Sequence, residues 1–122
     1  GYYSNKYYIK TIKIYNKRKG IEMQITVETI EDRTIIKVDG RVDAMTTQDL
    51  QDVIMNTFQS CSKIELDFAQ VEYISSAGLK TLLLGQKTAN SKGGQFTLRH
   101  VNDMVMEVLN MTGFASILHI ED

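Results

Sequence analysis

The sequence predicts an α/β domain: a mixed, mainly parallel β-sheet with three main helices packed against it. From Lys63 onward, segments of strand period and helix period alternate as strand, helix, strand, helix, strand. Crossovers of that kind set parallel strands side by side. Ahead of them, residues 23–30 and 34–38 read as two strands joined by the polar break Glu31-Asp32-Arg33, the pattern of a hairpin. Glycines then stand where helices must stop, at Gly93-Gly94 and at Gly113.

Each element has its own local reason. Met23, Ile25 and Val27 alternate with polar residues, the period of a half-buried strand. The second strand ends at Asp39-Gly40, and Arg41-Val42-Asp43 leads into a helix. That helix begins near Thr46, where Thr46 and Asp49 resemble a capping box with a shorter acid. Leu50, Val53, Ile54 and Phe58 share one helical face. Residues 63–68 form a strand with Ile64, Leu66 and Phe68 inward, and residues 69–76 read as a partly packed loop. A second helix over 77–90 points Leu79, Leu82 and Leu83 inward. Residues 95–100 form a strand, and Asn102 or Asp103 caps a third helix on which Met104, Val105, Val108 and Leu109 face the sheet. Residues 117–120 close the domain as a short strand.

Composition limits the function classes. A chain of 122 residues suits one core and is short for two ordinary domains. Fourteen basic residues against 15 acidic ones leave a formal charge of −1, without the basic face that nucleic-acid binding needs. The lone Cys61 rules out an internal disulfide and reads as a small, inert, partly buried thiol in a reducing cytoplasm. No apolar run approaches the roughly 20 residues that span a bilayer, and the N-terminus has no apolar signal core, so a soluble cytoplasmic protein is expected.

Residues 1–22 stand apart from the domain expected over 23–122. Lys6, Lys10, Lys13, Lys17, Arg18 and Lys19 make them basic, and residues 7–15 have strong strand propensity without clean alternation. They read either as an added edge strand, with lysines discouraging further pairing, or as a foreign or mis-started extension in which Gly1 is left from a tag.

The segment that carries chemistry is Tyr73-Ile74-Ser75-Ser76-Ala77-Gly78-Leu79. It delivers two adjacent serines to a helix N-terminus beyond the carboxyl end of a strand, where ligands tend to bind in open α/β sheets. Free amides and the helix dipole there favour an anion such as a phosphoryl group. The plain alternative is that Ser75 or Ser76 is only an N-cap. Ala77 and Gly78 are small enough to admit another protein's backbone.

This segment resembles the signature loop of the STAS-type anti-sigma factor antagonists, commonly Asp-Ser-Ser/Thr-Gly-Leu or Ser-Ser-Ala-Gly-Leu. Gly40-Arg41-Val42-Asp43 resembles the turn before that family's first helix, Lys92-Gly93-Gly94 its glycine turn, and Leu109-Asn110-Met111-Thr112-Gly113-Phe114 a segment near its end. The resemblance implies a STAS-type fold from Met23 onward and a phosphoacceptor at Ser76. Ser75 stands where Asp is frequent, which removes a carboxylate from beside the hydroxyl. It implies a partner-binding loop of Asp43, Ser75, Ser76, Ala77, Gly78 and Leu79, with Asp43 close to the phosphorylation site. It also implies partner switching: the unmodified domain binds an anti-sigma factor that is also a serine kinase, frees the sigma factor, and is switched off by phosphorylation. A serine phosphatase resets it. The domain is then a substrate and not an enzyme, with no cofactor. The rival reading is a STAS interaction module of a larger signalling assembly whose serines are never phosphorylated.

Other chemistries find little support. The G-x-S-x-G elbow of serine hydrolases is absent, and neither His100 nor His119 has a placement arguable for a general base. Two histidines without a neighbouring carboxylate or thiol pattern make a poor metal site. Neither G-x-x-x-x-G-K-[ST] nor G-x-G-x-x-G occurs. Met45, Met55 and Met106 lie off the core stripes and read either as partly buried or as an adaptable partner surface. Oligomeric state is open.

Overall fold

A computed structural model describes residues 7–16, 18 and 20–122. The readings on Gly1, Lys6, Lys17 and Lys19 lie outside these residues. The elements run β1 (Tyr7–Asn16), β2 (Gly20–Ile30), β3 (Arg33–Val42), α1 (Thr47–Phe58), β4 (Lys63–Ile74), α2 (Ser76–Lys92), β5 (Gln95–Arg99), α3 (Asp103–Thr112) and β6 (His119–Glu121), with a 3₁₀ turn at Phe114–Ser116. The strands form one sheet in sequence order, β1-β2-β3-β4-β5-β6. The first three are antiparallel, while β3 to β6 pair in parallel. This is the mixed, mainly parallel sheet with three main helices that the alternation predicts.

Alternation decides the faces. Ile36 and Val38 of β3 and Ile64, Leu66 and Phe68 of β4 are buried, and Leu50, Ile54 and Phe58 of α1 close over the same core at helical spacing. The ring of Phe96 lies against Gly85 of α2, where a side-chain Cβ would stand 2.6 Å from it. Between these inward residues the strands carry charge, and Glu65 bridges Arg33 at 2.9 Å and Arg99 at 3.4 Å across three strands.

Several boundaries differ from expectation. β3 does not stop at Asp39-Gly40 but runs to Val42, and residues 69–74 are strand, not loop. The cause is two bulges. Between Lys37↔Asp67 and Asp39↔Gln70, β3 advances two residues and β4 three; between Gly40↔Val71 and Arg41↔Tyr73, β3 advances one and β4 two. Each extra residue shifts the inward set of β4, which passes from Ile64, Leu66 and Phe68 to Val71 and Ile74. α2 starts one residue earlier than expected and ends at Lys92, with Gly93 in the left-handed conformation at φ 66°. Leu83 is only half-buried; Gly85 and Ala89 face the core with Leu79 and Leu82. On α3, Val105 and Leu109 are buried but Met104 is exposed, because the helix lies against the late part of β4, where Asn102 Nδ2 donates to the Val71 carbonyl at 2.7 Å. The last strand is shifted to His119–Glu121 by the 3₁₀ turn before it.

Candidate functional site

The bulged end of β4 and the end of β3 stop together, and the chain turns there into two helices. Ser75 N–H donates to the Val42 carbonyl at 2.9 Å, which ties the β4–α2 corner to the β3–α1 turn. The two serines divide their tasks. Ser75 is the N-cap of α2, extended at φ −94° and ψ 175°, and its Oγ accepts from Gly78 N–H at 3.4 Å while its carbonyl accepts from Leu79 N–H. Ser76 is the first helical residue; it is exposed, and no side-chain hydrogen bond engages it among the described residues. A hydroxyl at that position points to solvent over the positive end of the helix dipole.

The other residues expected in the loop are placed less uniformly. Ala77 is half-buried, whereas Gly78 and Leu79 are buried. Gly78 therefore does not admit a partner's backbone. It admits the protein's own: a Cβ there would stand 2.8 Å from Ile74 Cγ1, 2.9 Å from Val42 Cγ1 and 3.0 Å from the Val42 carbonyl oxygen. Glycine at this position lets α2 approach β3 and so sets the angle at which Ser76 leaves the sheet.

Asp43 is committed to the β3–α1 turn. Its Oδ1 accepts from Met45 N–H at 2.9 Å, its Oδ2 lies 3.5 Å from Arg41 Nε, and its backbone carbonyl accepts from Thr46 and Thr47. The turn also replaces the expected capping box. Thr46 Oγ1 accepts from Asp43 N–H at 3.0 Å and donates to the Arg41 carbonyl at 2.7 Å, so it caps no amide of α1. A buried hydroxyl satisfies the nearer backbone groups first.

Arg41 and Tyr73, whose contact no sequence pattern predicts, complete the surface together with Met45, one of the methionines weighed above as a partner surface. The Arg41 guanidinium carbon sits 4.5 Å from the centroid of the Tyr73 ring, a cation–π arrangement on paired positions of β3 and β4. Tyr73 is 41% exposed and Met45 76% exposed, so an aromatic ring at the end of β4 and a thioether on the β3–α1 turn stand in solvent. Lys80 is exposed one helical turn after Ser76, the spacing at which side chains meet on a helix. That i, i+4 spacing was available in the sequence; the Arg41–Tyr73 stack was not, because the bulges fix which residues pair. Of the three methionines set aside earlier, only Met45 is exposed, while Met55 and Met106 are half-buried. His100 and His119 are both exposed, and no group of metal-ligating side chains occurs among the described residues.

The family model described as "Mlab, STAS domain" matches residues 25–119. The chain belongs to the STAS-domain family. Among curated proteins, this STAS domain is 28% identical over 99 residues to BtrV of Bordetella bronchiseptica, whose name is that of an anti-sigma factor antagonist; the match covers 80% of this chain and 85% of BtrV. Among solved structures, it resembles a Thermotoga maritima protein also named for an anti-sigma factor antagonist, with a TM-score of 0.74 at 24% identity over 79% of this chain and 84% of that one. It likewise resembles the anti-sigma factor antagonist SpoIIAA in its unphosphorylated form, with a TM-score of 0.66 at 17% identity over 80% of this chain and 87% of that one. The phosphorylated form of SpoIIAA, from Bacillus, gives 0.64 at 16% over 80% and 91%. At these identities the structural matches establish the fold. β1 precedes the segment that the family model covers.

Proposed function

We propose that this STAS domain is an anti-sigma factor antagonist that docks an anti-sigma factor through the corner around Ser76 and is switched off when Ser76 is phosphorylated. The observation that supports this most is the division of labour between the serines. Ser75 alone satisfies the cap, which leaves the Ser76 hydroxyl exposed and without a structural task among the described residues. The names of similar proteins, BtrV among them, point the same way.

The switch is electrostatic. Phosphoserine adds about −1.5 to −2 charges at neutral pH, and a helix N-terminus accepts them, so the domain stays folded. The charge acts on the docked interface, where a desolvated dianion facing an acidic or apolar partner surface is repelled. A penalty of about 3–4 kcal/mol lowers affinity by two to three decades, enough to release a partner. Arg41, Tyr73 and Met45 supply the contact surface around the hydroxyl. The domain contributes only the nucleophilic oxygen: the partner's kinase site moves the terminal phosphoryl group of ATP onto Ser76 Oγ, ADP leaves, and a serine phosphatase hydrolyses the ester.

The test is incubation with the cognate anti-sigma kinase and ATP, followed by mass analysis and titration of the partner. Phosphate on Ser76, partner binding retained in Ser76→Ala and weakened at least a hundredfold in Ser76→Asp, are the expected results. An unmodified loop, or equal affinities for the two variants, overturns the switch and leaves a STAS interaction module.

A further inference from the structure

β1 is the terminal strand of the sheet, and among the described residues no strand pairs with its outer edge. Every second residue of this ten-residue strand points its N–H and C=O groups away from β2, and such unpaired groups are a template for another strand. Around that edge Tyr7, Tyr8, Ile9 and Tyr15 are between 49% and 65% exposed. The order of residues in β1 indicates which strand fits.

In an antiparallel pair, residues directly opposite one another lie on the same face of the pleat. Two copies of β1 related by a two-fold axis must therefore pair about one residue, not between two. An axis at Lys10 or Lys13 sets an ammonium against its own copy, which like-charge pairing disfavours. An axis at Ile12 leaves Tyr7 without an opposite residue within β1. An axis at Thr11 avoids both faults. Tyr7 then faces Tyr15 of the second copy, Tyr8 faces Ile14, Ile9 faces Lys13 and Lys10 faces Ile12. All four exposed apolar residues gain a cross-strand neighbour, and each lysine lies along an isoleucine, where its alkyl stem packs and its ammonium stays in water.

We propose that β1 pairs with β1 of a second copy of this chain, antiparallel about a two-fold axis at Thr11, joining the two sheets into one. Since β2 and β3 separate β1 from β4, the corner at Ser76 stays open in such a dimer, and the inference stands whether or not that serine is phosphorylated.

Sedimentation velocity of the full chain at rising concentration tests it. The expected species has twice the chain mass. Thr11 is exposed, so Thr11→Lys sets two ammonium groups on the axis without disturbing the core. It should raise the dimer midpoint concentration roughly tenfold or more, with an unchanged melting curve at concentrations where both chains are monomeric. Thr11→Cys in a Cys61→Ser background should form a covalent dimer with a short thiol–thiol cross-linker, as opposed Cβ atoms lie about 5 Å apart. A wild-type chain that stays monomeric, a dimer indifferent to Thr11→Lys, or failure to cross-link through Cys at position 11 overturns the proposal.

Discussion

The hydroxyls of Thr47 and Thr81 lie 2.7 Å apart, joining the first turn of α1 to α2 inside the protein. Thr47 Oγ1 is also 3.4 Å from the Ala77 carbonyl, and Thr81 is 2% exposed. Together with the bond from Ser75 N–H to Val42, this contact holds both connections at the end of the sheet in one piece. The candidate docking surface is built on those connections, so its shape depends on side chains that no partner touches.

Thr81→Val keeps the volume and removes the hydroxyl. It should cost about 1–2 kcal/mol, because a half-buried Thr47 hydroxyl loses its best partner. Urea unfolding should show a lower midpoint at an unchanged slope. A variant as stable as the wild type would show that the two hydroxyls contribute nothing to the joint.

Gly78→Ala places a methyl group against Val42 and Ile74 at 2.8–3.0 Å, with main chain as well as side chain in the way. Helix propensity alone favours alanine, by up to about 1 kcal/mol. The crowding should win, leaving a net loss of about 1–2 kcal/mol, together with weaker partner binding as the corner moves outward. Thermal melting and calorimetric titration on one sample check both; a gain in stability sinks this account of the glycine.

Ser75→Ala and Ser76→Ala should behave as opposites. The first removes a cap and should cost about 1 kcal/mol. The second alters an exposed hydroxyl and should stay within about 0.5 kcal/mol of the wild type. Chemical denaturation of the pair decides it, and equal losses at both positions would mean that the serines share the capping role.

Ser76→Asp should not destabilise the fold. A carboxylate in the first turn of α2 gains from the helix dipole, about 0.3–1 kcal/mol, and Lys80 one turn on adds a few tenths more. A double-mutant cycle with Lys80→Ala should return a coupling of about 0.3–0.5 kcal/mol that fades at high salt. Marked unfolding of Ser76→Asp would make any loss of partner binding a folding effect and remove the electrostatic explanation.

Elements with a local cause were legible in the sequence. The order of strands and helices followed from periodicity, and the stops at Gly93 and Gly113 from left-handed backbone, with φ 66° and 82°. Of the two caps the sequence offered for α3, Asn102 and Asp103, Asn102 is the one used, accepting from Val105 N–H at 2.9 Å. The helix start at the two serines was legible too, although residues 69–76 leading into it read as loop. What escaped depended on a neighbour. The alternation of β4 broke after Phe68 and read as loop, yet the chain stays paired, because β3 beside it accommodates two extra residues.

The same division explains the site. By itself the sequence determined that two serines meet a helix start, since strand period, helix period and capping preference are all properties of a few consecutive residues. Only the tertiary structure decided which serine is spent on the cap, why residue 78 is glycine, that Asp43 is absorbed by its own turn, and that Arg41 lies over Tyr73. The crowding at Gly78 and the Arg41–Tyr73 stack are contacts across β3, β4 and α2, and a one-residue bulge in β4 changes both. The serine cap and the Asp43 turn are local bonds chosen from several that the same residues could make. Local pattern sets the elements; their register against one another sets the surface.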